Sequence, residues 1–133
     1  MQVLQPPAWA RAKGFSNGIA AEGKLVFIAG QIGWTGQGEW KERSFAGQFR
    51  QALKNILEVL AQAGGRPDHL VRLTWYILDK KEYLASLKEV GAAYRELMGK
   101  HYPTMAVVQI GGLVEDEARL EIEATAVIPE NEL

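Results

Sequence analysis

Hydrophobic positions along this chain change period several times, and each change marks an element. A short segment between the turn signals Asn17-Gly18 and Glu22-Gly23-Lys24 leads into Leu25–Gln31, a nearly continuous apolar run. That pattern predicts two strands joined by a tight turn. Residues 32–42 combine Gly33, Gly36 and Gly38 with Trp34 and Trp40, the composition of a loop with aromatic anchors. From Phe45 the period lengthens to three and four, and Phe45, Phe49, Ala52, Leu53, Ile56, Leu57, Leu60 and Ala63 form one helical stripe. Ser44 is placed to cap its start, while Gly64-Gly65 and Pro67 stop it. His69–Leu78 is rich in Leu, Val, Trp, Tyr and Ile and predicts a strand. Asp79 and Glu82 have capping-box spacing ahead of a second helix. Its apolar stripe is Tyr83, Leu84, Leu87, Val90, Gly91, Tyr94, Leu97 and Met98, ending near Gly99.

Two closing strands, Thr104–Leu113 and Arg119–Ile128, turn at Glu115–Ala118 and give the order β-β-α-β-α-β-β, an α/β (α+β) arrangement. In the last strand Leu120, Ile122, Ala124 and Ala126 line one side, and Arg119, Glu121, Glu123 and Thr125 share the other. A carboxylate pair inside a sheet needs partners, because an unpaired buried charge is costly. The strands carry apolar residues on both faces, whereas two helices cover only one. An uncovered apolar face predicts packing against identical chains, hence a homo-oligomer.

Length narrows the picture to a single domain over residues 1–133. No apolar run approaches the roughly 20 residues that cross a bilayer, and Met1–Gln5 lacks a basic region followed by an apolar core, so no membrane partner and a cytoplasmic location are expected. The absence of cysteine removes disulfides, thiolate catalysis and Cys-ligated metals. His69 and His101 lack metal-ligand spacing, so no metal is expected. With 15 basic and 16 acidic residues scattered along the chain, no phosphate-binding stripe forms and nucleic acid is a poor partner.

Four pieces, set in the β/α order above, carry a resemblance: Ala29-Gly30-Gln31, the helix Gln48-Phe-Arg-Gln-Ala-Leu-Lys-Asn-Ile56, Tyr102-Pro103, and Leu120-Glu-Ile-Glu-Ala124. Over residues 14–128 the chain resembles the YjgF/RidA family of reactive-intermediate deaminases. The resemblance implies a chorismate-mutase-like fold, a mixed sheet with two helices on one face, assembled as a homotrimer around a barrel of sheets with small-molecule clefts between subunits. Active members hydrolyse enamines and imines to ammonia and a keto acid without metal or cofactor. Carried over residue by residue, Glu121 falls on the glutamate that directs the attacking water. Gly30 and Gln31 supply backbone amides toward the substrate carboxylate. Met105 stands where those members carry a carboxylate-gripping arginine, Val107 where a cysteine is common, and Phe15 where a tyrosine is usual. This places the chain in a divergent, arginine-lacking branch.

Two functions fit these residues. In the first, the chain is an enamine or imine hydrolase with altered specificity, Glu121 acting as general base and Met105 and Val107 forming an apolar floor walled by Phe15 and Trp34. In the second, it is a non-catalytic metabolite-binding or regulatory trimer. Glu121 would then pair with Arg119, Arg72 or a neighbour's lysine, and Met105 and Val107 would be sheet packing. Glu123 is expected in a structural pairing or on a solvated rim, and His101 in an exposed loop. Gln109, Arg72 and Arg11 are candidate replacements for the lost anion grip. Tyr83, Leu87 and Tyr94 are assigned to helix packing.

Overall fold

The structure is a computed structural model that describes residues 1–133. Its strands are β1 (Gln2–Leu4), β2 (Gly18–Ala20), β3 (Lys24–Ile32), β4 (Leu70–Ile77), β5 (Thr104–Gln109) and β6 (Leu120–Ile128), and its helices α1 (Phe45–Ala61), α2 (Lys80–Ala85) and α3 (Leu87–Met98). The predicted order is present, with one more strand at the N-terminus and the second helix in two segments. Four strands form a mixed sheet ordered β3-β6-β4-β5, in which only β4 and β5 run parallel.

The tight turn expected between the first two strands pairs differently. β2 lies against β1, with Leu4 opposite Gly18, and β3 takes its ladder from β6. At the turn, Gly23 has a φ of 147°, and a Cβ there would strike the backbone of Ile128, so only glycine passes so close to the end of β6. β5 is shorter than the Thr104–Leu113 run, ending at Gln109, with residues 110–113 leaving the sheet.

α1 begins where its cap predicts: the Ser44 hydroxyl accepts from the Gly47 amide at 3.0 Å. The expected capping box ahead of α2 is only half formed. Asp79 accepts from the Lys81 amide at 2.9 Å, but Glu82 turns away and takes the Arg119 guanidinium at 2.8 Å. Between α2 and α3, the Ser86 hydroxyl donates to the Glu82 carbonyl at 2.8 Å, the back-bonding that bends helices, and the single predicted helix breaks there.

The core lies between the sheet and the helices. Phe49, Leu53, Ile56 and Leu60 of α1 are fully buried against Leu73, Leu120 and Ile122, and Phe49 stacks on Trp75 with ring centroids 4.7 Å apart. The opposite face of the sheet has no helix over it. Its exposed apolar side chains sit on the edge strands, Leu25 and Phe27 on β3 and Val108 on β5, while Val127 of β6, opposite Leu25, is buried; Phe27 is 75% exposed. Its centre is polar, with Arg72, Thr74 and Tyr76 from β4 beside Glu121 and Glu123 from β6. The face is thus less apolar than the sequence pattern implies.

The chain end is tied down by charge. The Arg66 amide donates to His69 Nδ1 at 2.9 Å, which leaves the ring proton on Nε2 to donate to Glu132 at 3.0 Å, and Arg66 also pairs with Glu132. These hydrogen bonds, His69 first, hold the Glu132 carboxyl below the usual range. A carboxyl whose pKa is lowered on folding contributes stability above its unfolded value and loses it as pH falls through the folded value. Glu132→Gln is therefore expected to flatten the acid limb of a stability-against-pH curve from denaturant midpoints between pH 6 and pH 3. A variant as acid-sensitive as the parent would show that the latch contributes nothing.

Candidate functional site

The predicted site residues separate into two groups on opposite faces of the sheet. The first is built on β3 and β6. The register between these strands shifts between Ile28 and Gln31, leaving Ala29 and Gly30 without partners across the ladder. Such a bulge frees backbone groups and re-aims side chains. The Glu121 side chain lies in the space this opens: a Cβ on Gly30 would collide with the Glu121 carboxylate. Glu121 is half-buried and takes part in no ion pair.

The partners anticipated for Glu121 are placed elsewhere within the chain. Arg119 donates to the Arg43 carbonyl at 2.6 Å and to Glu82. Arg72 lies beside Thr74, Glu123 and Phe27 on the open face. Glu123 accepts from the Tyr76 hydroxyl at 2.6 Å, the structural pairing expected of it. That hydrogen bond first, then desolvation and the charges of Glu123 and Glu121, raise the Tyr76 phenol above its ordinary pKa. The Gln31 side chain donates to the Ala29 carbonyl at 3.1 Å and so braces the bulge.

The second group lies under the helices. Leu73 and Trp75 of β4 stand opposite Met105 and Val107 of β5, so these four side chains face the same way. Phe15 reaches them because its neighbour Ser16 bridges to Thr104, its amide donating to Pro103 O at 3.1 Å and its hydroxyl to Tyr102 O at 2.5 Å. Phe15, Met105 and Val107 then line one cleft of about 380 Å³, open to solvent on one side and walled by Trp75, Tyr83, Leu87, Tyr94 and Tyr102, with the exposed Lys13 and Arg95 also in its lining. That volume falls within the roughly 300–1,000 Å³ usual for small-molecule sites. Tyr94 stacks flat on Tyr102 at 5.2 Å and donates to the His101 carbonyl at 2.6 Å, and burial raises its phenol pKa far above the ordinary value.

Several residues take other places than the sequence implies. Trp34 packs on Trp40 at 5.7 Å and anchors the 32–42 loop, outside the cavity lining. His101 is no free loop residue, since Nε2 donates to the Leu70 carbonyl at 2.7 Å. Gln109 accepts from the Lys80 amide at 2.7 Å, and Arg11 lies with Trp9 and Asn17, so neither reaches the cavity. The cations that do are Lys13 and Arg95, and periodicity does not single them out. Tyr83, Leu87 and Tyr94 pack as helix residues and also wall the cavity.

A four-stranded mixed sheet with helices on one face, bulged at one edge and enclosing a small-molecule-sized cleft at the other, defines a chorismate-mutase-like α+β chain. Over residues 6–128 the chain matches the family described as Endoribonuclease L-PSP, and it belongs to this family, the YjgF/RidA family that the sequence resembles. A RutC family protein of Pyrococcus horikoshii is 34% identical over 113 residues, covering 84% of this chain and 85% of that one. The human 2-iminobutanoate/2-iminopropanoate deaminase is 30% identical over 105 residues, covering 78% and 73%. Among solved structures, the Rid family protein YyfB of Yersinia pestis superposes with a TM-score of 0.84 at 29% identity, covering 96% of this chain and 98% of that one. TdcF of Escherichia coli with bound serine gives 0.69 at 28% identity, covering 96% and 99%. No helix of the chain is long and apolar enough to cross a membrane.

Proposed function

We propose that the chain is an imine hydrolase whose site is completed between two copies, the Glu121–Gly30 corner of one meeting the Phe15–Met105–Val107 cavity of the next in a homotrimer. The observation that carries this is Glu121 itself: a half-buried carboxylate with no ion-pair partner, held against a bulge that has lost its ladder register. A structural carboxylate in a sheet is normally paired, as Glu123 is by Tyr76. Membership of a family that includes a human imine deaminase supports the reaction class. The open face, with Leu25, Phe27 and Val108 exposed at its edges, supports the assembly.

The chemistry follows from the groups present. Water adds to the carbon of the protonated imine as Glu121 takes one of its protons, giving a neutral carbinolamine. Glu121 returns that proton to nitrogen, and as the carbon–nitrogen bond breaks to release ammonia the carboxylate takes the hydroxyl proton, leaving the carbonyl. Amides near Gly30 and Gln31, on the Glu121 side of the site, orient the reacting imine end of the substrate. With Met105 offering no charge, the small imino acids that a side-chain guanidinium would grip bind weakly.

The test is ammonia release from imines generated in situ by an amino-acid oxidase, alongside the mass of the particle in solution. Expected results are a trimer and a Glu121→Gln rate lower by about 100-fold or more, the usual size of a lost general base. Equal rates for the two proteins across a broad imine panel overturn the hydrolase reading. Met105→Arg then separates the second function from the first: new activity on small imino acids shows a working water-handling half, whereas an inert variant marks the chain as a binding trimer.

A further inference from the structure

The cavity under α3 has a chemistry that its floor at Met105 and Val107 does not by itself disclose. Its walls are aromatic, from Phe15, Trp75, Tyr83, Tyr94 and Tyr102, and Trp75 is buried with an indole N–H that has no acceptor. Its only charged lining residues are Lys13 and Arg95. No aspartate or glutamate lines it, and neither cation is in an ion pair. Two unpaired cations beside an apolar hollow, with no counter-charge, favour an anion with a hydrophobic body.

Gly91 strengthens this reading. It stands in the middle of α3, where glycine weakens a helix relative to alanine. Its φ is not positive, so the backbone does not demand glycine. A Cβ at Gly91 would meet only the Arg95 guanidinium, 3.3 Å from Nη1. The residue one turn on therefore folds its head group back over a position left bare, and both residues line the cavity.

We propose that this cavity takes an aromatic 2-imino or 2-oxo acid, its ring among the tyrosines and Phe15 and its carboxylate held by Arg95 and Lys13, which replace from a helix and a loop the grip absent at Met105. This rests on the hydrolase reading of the same site and names its substrate class. Gly91 is the residue that makes the room, and Arg95 the one that sets specificity for the acid.

Calorimetric titration with phenylpyruvate and with pyruvate tests this without turnover. The full chain should bind phenylpyruvate at least tenfold more tightly than pyruvate. Arg95→Gln should weaken phenylpyruvate binding about tenfold and leave binding of phenylacetone, which has the ring and no carboxylate, unchanged. Gly91→Leu, a better helix former whose side chain enters the hollow, should abolish phenylpyruvate binding without lowering Tm. Absent or pyruvate-like binding of phenylpyruvate overturns the proposal, as does unchanged affinity in either variant. Phenylpyruvate binding with these variant effects, but no ammonia release from any imine, removes the hydrolase reading and leaves the ligand class standing. Hydrolysis of small imines with no phenylpyruvate binding removes the ligand class alone.

Discussion

Gln48→Leu is expected to lower the unfolding free energy by about 3–5 kcal/mol, read as a fall in the urea midpoint at unchanged slope. Gln48 is 1% exposed and lies in α1 among core residues, yet it is polar because backbone groups of two other segments use it. Its amide donates to the Glu117 carbonyl at 3.0 Å and to the Glu42 carbonyl at 3.3 Å, and its oxygen accepts from the Arg119 amide at 2.8 Å. Leucine fills similar volume and makes none of these bonds. Each group stranded away from water costs about 1–3 kcal/mol, whereas the side chain's added hydrophobicity returns less. The loss is large beside a typical total of about 5–15 kcal/mol. A further consequence is local, because Arg119 leads into β6 and its side chain binds Glu82 and the Arg43 carbonyl. Loosening its backbone should increase hydrogen exchange at the start of β6 before the rest of the sheet. A midpoint equal to the parent's would mean that water replaces all three bonds.

The same residue shows what a linear sequence displays and what it hides. The stripe from Phe45 to Leu60 is legible because one helix face meets one core, and period alone reports it. So is the alternation in Leu120–Ala126, where buried and outward positions follow the pleat as predicted, while Val127 on the outward side is buried as well. Gln48 belongs to the same helix, but its partners are 6, 69 and 71 residues away, and nothing in local spacing encodes such meetings. The cavity is hidden for the same reason. Phe15 reaches Met105 and Val107 only because Ser16 clasps the residues leading into β5, and Arg95 reaches it only because Gly91 is bare. Candidate anion-binding residues chosen by type, Arg72, Arg11 and Gln109, end elsewhere. The break at Ser86 was foreseeable in kind, since serine competes for backbone carbonyls, but not in place. β1 escapes notice because Gln2–Leu4 is too short to show a period.

Gly30→Ala is expected to cut imine hydrolysis by about 100-fold while changing stability by less than about 0.5 kcal/mol. The backbone at Gly30 has no positive φ and accepts an L-residue without strain. What an alanine meets is the carboxylate and Cγ of Glu121, the far end of a flexible side chain rather than backbone. The side chain therefore yields and the fold does not. A general base displaced by an ångström or more loses its reach to the attacking water, and rate falls where stability hardly moves. The contrast with Gln48→Leu is the point: one substitution strands polar groups in the core, the other repositions a single carboxylate. Combining Gly30→Ala with Glu121→Gln should add almost nothing to the loss from Glu121→Gln alone, because both remove one function. Full additivity would show that Gly30 contributes through its amide instead, and an unaffected rate in Gly30→Ala would show that Glu121 works from some other position than the one over the bulge.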